Sequence, residues 1–303
     1  MLELSYRFLI IIAIIFTGYL LKKLKFLKQS DGNSLAKVIF NFTLPALVIS
    51  VFKDFNMENG HVIFPVLGVL IGFVMLGISF LSYRKFSRRD KGMLTMPLLG
   101  LNIGLFAIPF VDILWGGEAV KYLMLMDLGN AFVIFVVCYI TGAVYAGESD
   151  EVNPLDVFKK ALHSIPLLVY LLTFILIVTR NYFPKPIVEI ADIVSSANTP
   201  LAMITLGVFL SFKFDKSQIL KMLRFWFTKY IIGILISAAI LIFTPFDDVA
   251  NNVMVLAFIL PSSFSSIAYA VELNYDSKFI GTIINSTIVI SIGLMWILSI
   301  FIV

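Results

Sequence analysis

The chain has 303 residues, of which 60% are apolar and only 14% charged, and its mean hydropathy is +0.99. That composition excludes a soluble globular protein and leaves a polytopic helical membrane protein. The net charge of +4 does not imply a nucleic-acid partner, because most Lys and Arg sit in short connectors between apolar runs.

Ten apolar segments follow one another, each near the roughly 20 residues that cross about 30 Å of hydrocarbon. The first, 6–21, has no basic leader ahead of it and reads as a retained helix rather than a cleaved signal. The second, 35–51, carries Asn41, Thr43 and Pro45, and the third, 62–83, is almost without polar groups. The fourth, 94–115 (LTMPLLGLNIGLFAIPFVDILW), holds Pro97, Gly100, Asn102, Gly104 and Pro109. A plain anchor has no use for so many helix-weakening residues. Pro109 cannot donate and clashes with the preceding turn, so carbonyls near Leu105 lose partners. In hydrocarbon such groups need protein, water or ligand, and Asn102 nearby marks a break that faces a cavity.

The fifth segment, 119–143, contains Asp127 and Asn130 one helical turn apart on a shared face. A polar connector, 147–160, then divides the chain into a first half, 1–146, and a second, 161–303. The sixth segment is 162–178, and the seventh, 187–210, carries Asn198, Thr199 and Pro200. After the eighth, 225–243, the ninth, 252–273, has Pro261 followed by Ser262, Ser263, Ser265 and Ser266. The tenth, 279–301, contains Asn285, Ser286 and Thr287.

Odd-numbered connectors hold sixteen Lys and Arg against four in the even-numbered ones. The positive-inside rule then places the odd connectors in the cytoplasm and both termini outside a multi-pass cytoplasmic (plasma) membrane protein. The motif NFTLPAL around Pro45 returns as ANTPLAM around Pro200, and the fourth and ninth segments both carry proline-bearing breaks. Five helices in each half is an odd number, so the second half must sit inverted, the signature of a secondary carrier.

Asp127 is the sharpest single residue. A carboxylate at mid-bilayer costs about 2.5–3.5 kcal/mol on insertion scales, so it is expected to face a cavity as a proton-coupling acid. The plainer alternative is a solvated or Lys-paired group near the interface. The serines of the ninth segment and Asn285 on the tenth either line a site or join helices by hydrogen bonds. Strong acidic ligands for Na⁺ are missing from both breaks, so a coupled proton is preferred to Na⁺. His61 and His163 have no companions at metal-ligand spacing, Cys138 is alone in an apolar run, and Asn41 begins a sequon inside an apolar run. Nucleotide, hydrolase and dinucleotide motifs are absent, so neither an enzyme nor a cofactor is expected.

Four stretches, FNFTLPAL at 40–47, NIGLFAIPFVDILWG at 102–116, NTPLAMITLG at 198–207 and ILPSSFSSIAYAVELN at 259–274, resemble the auxin efflux carrier family. The resemblance covers essentially the whole chain. It implies an all-α membrane protein of ten transmembrane helices in two inverted five-helix repeats, with broken fourth and ninth helices that cross. It further implies elevator-like alternating access of an organic anion between a scaffold and a mobile bundle, and makes a homodimer the state to test. By position, Asn102 becomes a polar substrate contact, Pro109 sets the first crossover and Asn130 faces the substrate. Ser266 stands where plant members have their second crossover proline, and Val48 where they use a Ser near the ligand, so auxin itself is not implied. The expected substrate-lining set is Asn41, Asn102, Pro109, Asn130, Pro261, Ser265, Ser266 and Asn285. The expected function is secondary transport or uniport of a small carboxylate. The alternatives are a Na⁺-coupled symporter of the bile-acid type and a membrane sensor that binds without transporting, against which the early end of the chain after its last helix argues.

Overall fold

The computed structural model describes residues 2–302 except 56, 58, 148–154, 156, 158, 160–161, 212–217 and 245. Most of the expected 147–160 connector therefore lies outside the described residues. Twelve helices are named here: α1 (Leu2–Lys23), α2 (Gln29–Phe52), α3 (Gly60–Ser82), α4 (Arg88–Leu99), α5 (Ile103–Trp115) and α6 (Gly117–Ala146). They continue as α7 (Ile165–Val178), α8 (Lys185–Phe209), α9 (Ile219–Phe243), α10 (Asp248–Ala257), α11 (Ser265–Glu272) and α12 (Ser277–Ile302). Seven of these, α1, α2, α3, α6, α8, α9 and α12, are long and apolar enough to cross a bilayer, while α5 and α7 are shorter apolar helices. The fourth and ninth apolar segments are each split, as α4 with α5 and α10 with α11.

Local chemistry explains where these helices start. The Ser87 hydroxyl accepts from the Asp90 amide at 3.1 Å and opens α4, and the Asp247 carboxylate accepts from the Ala250 amide at 2.8 Å and opens α10. Gly116, at φ +80°, turns the chain between α5 and α6 in a conformation costly for other residues.

The prolines act differently from the sequence expectation. The first interruption falls at residues 100–102, not at Pro109. Pro109 sits just after a π turn, Ile103–Ala107, in which the Ile108 amide reaches back to Ile103. Pro45 likewise follows the π turn Ile39–Thr43, closed by the Leu44 amide on Ile39. The widened turn shifts the carbonyl that each ring would strike, so the helix continues past the proline.

The polar and apolar faces are arranged for lipid. On α9, Phe227, Ile231, Leu235 and Ile242 are exposed, whereas Phe225, Lys229, Gly233 and Ser237 are buried. Where helices cross most closely, glycine meets backbone: a Cβ on Gly207 of α8 would lie 1.9 Å from the Ile15 carbonyl oxygen of α1. One on Gly129 of α6 would lie 2.0 Å from the Pro65 oxygen of α3. Helices in lipid associate through such close approach because no hydrophobic effect drives them together. Residues far apart in the chain also meet, for the Thr43 hydroxyl donates to the Asn198 side-chain oxygen at 2.9 Å across a separation of 155 residues.

Gly207→Ala is expected to cost about 1–3 kcal/mol by forcing α1 and α8 apart. Gly77→Ala, where nothing lies within 4 Å of the added carbon, is expected to leave stability essentially unchanged. Thermal unfolding of both purified variants in detergent checks the contrast.

Candidate functional site

Breaking a helix inside a membrane leaves peptide groups without partners, and here the two breaks satisfy each other. The Asn102 amide donates to the Pro261 carbonyl at 2.9 Å, and the Ser263 amide donates to the Gly100 carbonyl at 3.0 Å. Leu101 and Ser262 thereby form an isolated antiparallel bridge between the interrupted helices. Side chains hold three of the groups that the bridge leaves over. Asn130 of α6 accepts from the Leu101 amide and donates to the Leu101 carbonyl, both at 3.0 Å. On the other side, the Thr287 hydroxyl of α12 accepts from the Ser262 amide at 3.1 Å.

Asn130 is itself held. Its amide donates to one carboxylate oxygen of Asp127 at 2.8 Å, and the Tyr170 hydroxyl of α7 donates to the other at 3.0 Å. Asp127 is 8% exposed. This chain of bonds, from Tyr170 through Asp127 and Asn130 to Leu101, fixes the first break to α6 and α7.

A cavity of about 860 Å³ reaches the crossing. Its outer part is bounded by Asn33 and Lys37 of α2 and by His163, all exposed, on the side of the odd-numbered connectors. Its inner part is bounded by Asn102, Asp127, Tyr170 and Ser263. Asn102 is 5% exposed, and its side-chain nitrogen has no hydrogen-bond partner. That amide is a donor left free at the inner end of the cavity. The helices α5 and α11 begin just beyond the two breaks, and helix N-termini favour negative charge. Two other cavities, of about 660 and 750 Å³, lie around Phe55 and Lys53, beyond the opposite end of α2, and neither includes a break residue.

Of the residues singled out from the sequence, Asn41, Asn102, Asp127 and Ser265 bound the cavity. Pro109, Asn130, Pro261, Ser266 and Asn285 are buried and are not among its bounding residues. The polar capacity of Asn130 is spent on the Leu101 peptide and on Asp127, Ser266 faces Cys138, and Asn285 donates back to Gly281 of its own helix. Sequence reasoning passed over Tyr170, which a lone Tyr in an apolar run signals only weakly. It also passed over Lys229, where a single charge inside the eighth apolar segment was a plain signal.

Long apolar helices interrupted at a shared, internally bonded crossing and entered by a deep cavity are the architecture of membrane transport. The model of the family described as membrane transport protein matches residues 4–160 and 156–299. The chain belongs to this family, the auxin efflux carrier family that its motifs resemble. It is similar to an uncharacterized transporter of Methanothermobacter thermautotrophicus, 24% identical over 290 residues that cover 93% of each chain. It is equally similar to an uncharacterized transporter of Methanocaldococcus jannaschii, 24% identical over 306 residues that cover 94% of each.

Asn130→Ala strips both groups of the Leu101 peptide of their partners inside the protein. The expected loss is about 2 kcal/mol or more, against about 1 kcal/mol or less for Asn285→Ala, whose bond stays within one helix turn. Thermal unfolding of the two variants measures the difference.

Proposed function

We propose that the chain is a secondary carrier that moves a small organic anion, a carboxylate, across the cytoplasmic membrane by alternating access. The observation that carries this reading is the free Asn102 amide at the inner end of the cavity, beside the start of α5. A carboxylate placed there accepts from that amide and lies at the positive end of a helix. The residues that contact it are Asn102, Asn41 and Ser265, with Asn130 as the residue that holds the break in shape.

The reading includes two inverted five-helix repeats, α1 to α6 and α7 to α12, with each broken pair counted as one span. It is supported by the contact between Thr43 and Asn198, because residues at equivalent positions of two repeats meet where a two-fold axis passes between them. The matching roles of Asn130 and Thr287 at the two breaks support it too. In this reading Asp127 couples transport to protons. Asp127 is among the residues that bound the cavity and its carboxylate orients Asn130, so protonation at Asp127 acts on the clamp of the first break.

Two measurements test the proposal. Benzoate and malate, as mono- and dicarboxylate probes, are expected to raise the melting temperature of the purified protein and to raise that of Asn102→Ala far less. Equal stabilisation of both proteins moves the site away from the break, and binding without flux in liposomes makes the chain a sensor. In the flux assay, acidifying the outer solution is expected to accelerate uptake by the wild type but not by Asp127→Asn. An unchanged pH response in that variant removes Asp127 from coupling.

A further inference from the structure

Lys229 stands in the middle of α9, fully buried, and its ammonium nitrogen has no hydrogen-bond partner. A side chain of this kind is expensive in the interior of a membrane protein, far more so than a Met of similar shape. The other buried polar residues of α9, Thr228, Tyr230 and Ser237, each have a hydrogen-bond partner, and Lys229 alone does not. An ammonium buried there without a partner calls for one that arrives.

Register places Lys229 at the crossing. The helices α9 and α10 run antiparallel, with the Ser237 hydroxyl donating to the Val255 carbonyl at 2.7 Å. One turn further on, Gly233 lies against Phe258, where a Cβ would sit 2.3 Å from the carbonyl oxygen. One turn back along α9, Lys229 comes toward the chain that leaves α10 for the second break, residues 261–263. Ser262 there has a buried hydroxyl that also lacks a partner. Side chains alternate along an extended segment, so Ser263 on the cavity side directs Ser262 to the opposite face. That face is closed by α12, where Tyr230, next to Lys229, donates to the Thr287 carbonyl at 2.8 Å. On α4, joined to α9 by the Lys221–Asp90 ion pair at 2.6 Å, Thr95 lies within a turn of the same level, and its buried hydroxyl is unpartnered as well.

We propose that Lys229 is the counter-charge of the transported anion, meeting its carboxylate with Ser262 and Thr95 on the face of the crossing opposite the Asn102 cavity. This rests on the reading of the chain as an organic-anion carrier and adds the element that reading lacks, a full positive charge at mid-membrane. The anion enters beside Asn102 and passes to Lys229 as the break shifts between its two neighbours. The ammonium and the two hydroxyls are together donors enough for both oxygens of a carboxylate.

The test compares the wild type, Lys229→Met and Lys229→Arg as full-length purified protein, with benzoate and malate as probes. Without probe, the Met variant is expected to melt at or above the wild-type temperature, since an unpaired charge has been removed. It is expected to lose the stabilisation by both probes and to take up labelled benzoate in liposomes roughly tenfold or more slowly, as for the loss of one partner of a buried charge pair. The Arg variant, which keeps the charge, is expected to retain part of both responses. A Met variant that responds like the wild type overturns the role of Lys229 and leaves the anion reading standing. A Met variant that melts well below the wild type shows an ammonium already compensated by the fold, and overturns it also. Absence of any carboxylate response in the wild type overturns the anion reading and this inference together.

Discussion

Peptide groups in the middle of a bilayer must find partners within the protein, and at residues 100–102 and 261–263 they find them in each other. Neither break is viable alone. Cutting α4 from α5 exposes the Gly100 carbonyl and the Asn102 amide, and only the matching cut between α10 and α11 supplies Ser263 and Pro261 to take them. The two broken helices are therefore tied to each other at their interruptions. Any movement of one broken helix against the other has to exchange or carry along these bonds.

From that constraint the polar interior follows. Asn130 and Thr287 serve the peptide groups that the bridge leaves unpaired, and Asp127 and Tyr170 serve Asn130. In lipid a half-satisfied network is worse than none, so each added polar residue brings another behind it. Several buried polar atoms among the described residues nevertheless have no partner, Thr95, Thr173, Asn198, Ser262 and Asn285 contributing one each. Also among them are the Asn102 amide, at the inner end of the cavity, and the Lys229 ammonium in the middle of α9.

The lipid-facing surface is built on an opposite rule. Large apolar side chains cover the outside of α9, and glycines let backbones touch at the α1–α8 and α3–α6 crossings. These contacts depend on shape rather than on the hydrophobic effect, which is why a single added carbon at Gly207 collides with a carbonyl oxygen.

Apolar run length and the placement of Lys and Arg were enough, from the sequence by itself, to determine a polytopic helical protein, because insertion into hydrocarbon depends on local composition. The clustering of Gly, Asn, Pro and Ser in the fourth and ninth runs located both interruptions to within a turn or two, because weak helix formers act locally. The tertiary structure alone decided what each polar residue does. Pro109 was legible as a helix breaker, yet a π turn beside it absorbs the ring, and the break falls at Gly100 to Asn102, where the partner strand of backbone lies. Asn130 was legible as polar and inward, but a hydrogen-bonding side chain reads the same in sequence whether it serves a substrate or the peptide of Leu101. The difference is one of who stands opposite, which depends on residues far away in the chain and is settled only when the helices pack.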